Sequence, residues 1–140
     1  MHIPRRFLGV TLACLPLLAA CERTPDASDY KLNGIWAWGT EMNCYGNENT
    51  IVFDGPRIQV FLHGDMMVSV QDARVEQTSQ NGKPLITVRY SLQGRGFEEQ
   101  YVALDADTLQ PVETEVNGTR QNSAADSGKT LVRCPAPPAP

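Results

Sequence analysis

From residue 34 onward, apolar and polar residues alternate over runs of strand length, and short polar turns separate the runs. Ile86, Val88, Tyr90 and Leu92 alternate with Thr87, Arg89, Ser91 and Gln93, and Ile58, Val60 and Leu62 alternate with Gln59 and His63. A period of two puts one set of side chains on one face of an extended chain, the signature of a strand buried on one side. Turn chemistry falls at Asp54-Gly55-Pro56, His63-Gly64-Asp65, Asn81-Gly82, Gln93-Gly94-Arg95-Gly96, Asp105-Ala106-Asp107 and Asn117-Gly118. The pattern predicts strands over 35–40, 49–54, 57–63, 66–78, 85–93, 96–104, 108–119 and 130–134, and no window carries a capped helical stripe. About eight short strands joined by tight turns predict an all-β fold. The expected form is a single antiparallel up-and-down meander closed into a small barrel, with a two-layer β-sandwich as the alternative.

The first twenty residues break this pattern. They hold thirteen apolar side chains and only two charges, Arg5 and Arg6, followed by the uncharged run FLGVTLACLPLLAA. A basic start followed by a short apolar stretch reads as a signal peptide over 1–20. The run is short for a spanning helix, and Pro16 interrupts it. Leu18-Ala19-Ala20-Cys21 resembles the bacterial lipobox, in which small residues precede a cysteine that becomes the mature, lipid-bearing N-terminus. The resemblance implies diacylglycerol on Cys21, and two or more acyl chains anchor a protein stably. Glu22 follows the cysteine, not the aspartate associated with inner-membrane retention, so the resemblance implies an outer-membrane lipoprotein facing the periplasm of a Gram-negative cell. Residues 21–30 read as a lipidated tether, 31–134 as the barrel domain and 135–140, PAPPAP, as a proline-rich extended tail.

With Cys14 and Cys21 assigned to the leader and the lipid, Cys44 and Cys134 remain, and an exported location permits a disulfide between them. A metal site or a reactive thiol fits less well, since the mature chain offers one histidine and neither cysteine has a basic neighbour positioned to activate it. Gly34-Ile35-Trp36 resembles the Gly-x-Trp of the first strand in lipocalins and related calycin barrels. In those barrels an arginine of the last strand stacks over the tryptophan, which implies that Arg133 closes the barrel against Gly34 and Trp36.

Removing the leader leaves 120 residues, 45 of them apolar, enough for one modest core. It also leaves ten basic against sixteen acidic residues, a net charge of −6. Such a surface argues against nucleic acid, whose phosphates need clustered Lys and Arg. Chemistry is sparse. His63 stands beside a turn, and no serine sits in a Gly-x-Ser-x-Gly elbow with which it could work. Glu113 and Glu115 share a strand face, Glu98 and Glu99 point apart, and Asp105 and Asp107 suit a hairpin turn. No phosphate loop, zinc spacing or dinucleotide fingerprint occurs, so no catalytic residue, metal or cofactor is expected.

A small lipid-anchored β-domain with one disulfide resembles the lysozyme inhibitors of Gram-negative bacteria and, more loosely, the lipoprotein immunity proteins that neutralise wall-degrading toxins. That resemblance implies a non-enzymatic binder of a periplasmic protein. The Ser-Gly-x-x-Tyr motif of the inhibitors is absent, so no binding residue is carried over. The alternatives are a lipocalin-type carrier of a small apolar ligand, with a cavity lined by Met66, Val68, Val70 and Tyr90, and a structural lipoprotein of an envelope complex.

Overall fold

The computed structural model describes residues 29–121 and 127–136. Cys21, the leader, the tether as far as residue 28 and the end of the proline tail lie outside the described residues. The described chain forms ten strands: β1 (Gly34–Trp38), β2 (Asn49–Asp54), β3 (Arg57–Leu62), β4 (Asp65–Val70), β5 (Arg74–Gln80), β6 (Lys83–Leu92), β7 (Arg95–Asp105), β8 (Thr108–Val116), β9 (Thr119–Arg120) and β10 (Leu131–Arg133). All belong to one antiparallel sheet in the order β4-β3-β2-β1-β10-β8-β7-β6-β5, with β9 added to β8.

The fold is all-β, as the alternation implies, but it is one curled half-barrel and neither the closed barrel nor a two-layer sandwich. Strands β4 and β5 are the two edges of the sheet and do not pair with each other. The segment 66–78, expected as one long strand, forms two. The chain breaks at Gln71-Asp72-Ala73, where the Ala73 N–H donates to the Pro56 carbonyl at 2.9 Å. Before the break the chain follows β3; after it, Arg74 pairs with Arg89 of β6. Each half therefore commits its ladder hydrogen bonds to its own neighbour. The expected strand 108–119 is likewise split, at Asn117-Gly118, into β8 and β9.

Turn chemistry places the hairpins. His63, Asn81, Gln93 and Asn117 all have positive φ and each precedes a glycine of positive φ. Two consecutive left-handed residues match the right-handed twist of the flanking strands.

The concave face holds the core, with Trp36, Phe53, Ile86, Val88, Leu109 and Leu131 all essentially out of contact with water. Tyr30 packs against this cluster and stacks on Trp36 at 6.5 Å. A second, smaller packed layer lies on the outer face. Ala37 and Thr50 are cross-strand partners of opposite parity to Trp36, yet both are fully buried. The 3-10 segment Glu41–Asn47 folds back as a strap over β1 and β2, and Cys44 in it is disulfide-bonded to Cys134, with the Cα atoms 5.7 Å apart. Only a small residue fits at 37 beneath such a strap.

Candidate functional site

At one end of the half-barrel the first and last strands meet. Trp36 pairs with Arg133 in the β1–β10 register, and the Arg133 guanidinium lies 4.2 Å from the centre of the indole ring. The indole N–H donates to the Leu32 carbonyl at 2.8 Å. Arg133 donates from Nη1 to the Asn33 carbonyl at 3.0 Å, from Nη2 to the carbonyls of Lys31 and Ala106, and from Nε to Asp107 at 3.0 Å. Gly34 has φ +143°, and a Cβ there would stand 3.0 Å from Arg133 Nη1. Glycine at 34 thus leaves room for the guanidinium. Tyr30 donates to the carbonyls of Asp105 and Ala106, and burial, outweighing the opposing pull of Arg133, pushes its phenol up to about 12. A recess of about 660 Å³ opens here, with Lys31, Lys83, Asp105 and Asp107 as well as Arg133 in its wall, and the donors of Arg133 are already engaged by the protein itself. This end is a structural lock.

The opposite half of the concave face is different. A recess of about 310 Å³ remains between Trp38, Ile58, Val60, Val68 and Tyr90 on one side and the β7–β8 hairpin on the other. Glu99 projects into it. Tyr90 donates to Glu99 Oε1 at 2.8 Å and Tyr101 donates to Oε2 at 2.6 Å. Both tyrosines are held by other rings: Tyr90 stacks on Phe97 with centroids 5.1 Å apart, and Tyr101 meets Phe53 edge-on at 6.2 Å. Burial first, then the Glu99 charge and the hydrogen bond to it, raise both phenols well above their ordinary range, so both stay protonated donors at neutral pH. Glu99 makes no ion pair with any cation among the described residues. Of the residues expected to line a cavity, Val68 and Tyr90 do so, Val70 lies in the core, and Met66 stands on the exposed side of β4.

The third feature is a surface. The strap meets the β3–β4 turn, where His63 N–H donates to the Glu48 carbonyl at 2.7 Å, Gly64 N–H to the Asn47 carbonyl at 3.1 Å, and a Cβ on Gly64 would stand 3.3 Å from the Gly46 carbonyl. Met42 (70% exposed) and Tyr45 (69%) stand in solvent on the strap, and Leu62, Met66 (53%) and Met67 (61%) stand in solvent on the hairpin that it meets. Glu41, Glu48 and Asp65, in or next to the same segments, are exposed too, with His63 3.0 Å from Glu48.

Several other carboxylates have ordinary structural partners. Arg89 bridges Glu76 and Glu98, Glu113 lies 4.0 Å from Arg120, and Asp105 accepts from the Asp107 N–H in the turn. Among the described residues no group of three or more His, Cys, Asp or Glu is placed to hold a metal ion, and no helix is long and apolar enough to cross a membrane.

Sequence reasoning placed Trp36, Arg133, Cys44 and Cys134 but assigned nothing to Glu99, Met42, Tyr45 or Met67. The signal for Glu99 is Phe97-Glu98-Glu99-Gln100-Tyr101, which puts a charge in the middle of the inward-facing positions of an apolar strand face. Comparison with protein-family models, curated proteins and solved structures finds no match to this chain.

Proposed function

We propose that this chain is a non-catalytic binding protein, held at the outer membrane by lipid on Cys21 and facing the periplasm, that captures a basic protein partner through the strap–hairpin surface. The observation that carries this reading is the exposure of Met42 and Tyr45 on one segment and of Leu62, Met66 and Met67 on another that touches it. Large apolar side chains gathered at one exposed place mark interaction surfaces, and methionines adapt their shape to a partner. Exposed Glu41, Glu48 and Asp65 in or next to these segments, and the net charge of −6 after residue 20, favour a partner of opposite sign, because complementary charge speeds encounter and suppresses wrong partners. Lysozyme-type wall-degrading enzymes are commonly basic, in keeping with the resemblance to inhibitor and immunity lipoproteins.

An apolar-ligand carrier is the weaker reading. An apolar guest in the concave recess would strip water from the Glu99 carboxylate and return nothing to it.

The test is a calorimetric titration of the mature protein with a basic lysozyme-type hydrolase, run beside an assay of residual lytic activity. Saturable binding is expected, with lysis falling in proportion to occupancy. The double variant Met66→Asp, Met67→Asp is expected to weaken binding about tenfold or more at an unchanged melting temperature. Heat and lysis that do not change with added protein, or binding indifferent to that variant, would refute the reading.

A further inference from the structure

We propose that the concave recess is a binding site for a small organic ammonium cation, with Glu99 as its counter-charge and Trp38 and Tyr90 as its aromatic wall. This goes beyond capture of a protein and uses a different part of the molecule.

Glu99 is a charged residue placed among inward-facing positions that are otherwise apolar or aromatic, and Tyr101, its neighbour on that face, is buried. Two phenol donors satisfy one lone pair on each oxygen at 2.8 and 2.6 Å. They fix the position of the carboxylate but do not neutralise it, and each oxygen retains acceptor capacity. A charge in a partly desolvated setting is costly without a counter-ion, and the described chain supplies none. The missing partner is a cation.

The surroundings define which kind. Gln100, Glu113 and Thr114 also line the recess, but hard metal ions need several oxygen ligands, no group of three or more His, Cys, Asp or Glu among the described residues is placed to hold one, and Ile58, Val60 and Val68 form an aliphatic wall. A ring face attracts a cation, and Trp38 and Tyr90 both line the recess. The volume of about 310 Å³ lies at the small end of ligand pockets and suits a guest with a short apolar body and one cationic head. The site is also preorganised, since Phe97 and Phe53 hold the two tyrosines before any ligand arrives.

The probes are 2-phenylethylammonium and its uncharged counterpart 2-phenylethanol, titrated into the mature protein by calorimetry and by NMR of the Trp38 indole. The expected result is saturable binding of the ammonium with a Kd below about 1 mM, at least about tenfold tighter than the alcohol, with the Trp38 signal moving. Glu99→Gln keeps an acceptor for the tyrosines but removes the charge. It is expected to erase the preference for the cation while leaving the circular dichroism spectrum and the disulfide intact. Equal affinity for the two probes, a preference that survives Glu99→Gln, or no binding of either probe up to about 10 mM would overturn the proposal. No protein partner is needed, so failure here is separate from failure of the capture reading.

Discussion

The guanidinium of Arg133 and the indole of Trp36 are cross-strand partners 4.2 Å apart, and through them the two ends of the folded chain hold each other. The pair does more than stack. Arg133 also donates to carbonyls at Lys31, Asn33 and Ala106, which come from the entry to β1 and from the β7–β8 turn. Arg133→Ala should therefore cost about 2–4 kcal/mol, combining a cation–ring contact with several charge-assisted hydrogen bonds. Arg133→Lys should recover little of it, because an ammonium cannot span three carbonyls as a planar fork does. Denaturant midpoints of the two variants check this.

The Cys44–Cys134 bond encloses a separation of 90 residues. The chain-entropy model gives about 4–5 kcal/mol for a loop of that length, a large share of the stability of a small domain. Reduction, or Cys44→Ser, should lower the melting temperature strongly. It should also release the strap, which hydrogen exchange at Met42 to Asn47 would report as lost protection before the β6–β7 core opens.

Thr50 is fully buried and its hydroxyl has no hydrogen-bond partner among the described residues. Thr50→Val keeps the β-branched shape and removes the unsatisfied group. It should raise stability by about 1 kcal/mol, read as a higher denaturant midpoint with an unchanged slope.

Alkaline pH should weaken the fold in a defined window. The folded-state phenols of Tyr30, Tyr90 and Tyr101 lie above the ordinary value of 10.0, so the unfolded chain loses those protons first. Their contribution is complete below pH 10 and declines above it, with that of Tyr30 fading as pH approaches about 12. A denaturation series from pH 8 to 12 should show a falling midpoint above pH 10, and Tyr30→Phe should flatten the part of the fall due to that phenol.

What could be read in the sequence was what is decided locally. Asn81-Gly82 and Asn117-Gly118 announce turns because residues that tolerate positive φ are needed there and nowhere else nearby. The alternation in β6 gives its faces directly. The break at Gln71-Asp72-Ala73 was hidden because no glycine or proline marks it; it depends on a hydrogen bond to Pro56, seventeen positions away in the sequence. β4 and β5 stay unpaired across that break, and barrel closure was not legible either. Glu99 could be assigned a face but not its company. Its meeting with Tyr90 and Tyr101 requires the β6–β7 register, which pairs Val88 with Glu99 and Ile86 with Tyr101. The exposed methionines carry no signal of exposure, since Met66 and Val68 look equally fit for a core until the bulge at Val60/Phe61 leaves Met67 unpaired.

The most direct test of protein capture is site-specific photocrosslinking in the intact envelope, with the photoreactive residue placed at Met66 or, as a control, at Thr78 on the far edge of the sheet. The account predicts a single adduct at Met66 with a basic wall-degrading enzyme and none at Thr78. Equal adducts at both positions, or none at Met66, would contradict it.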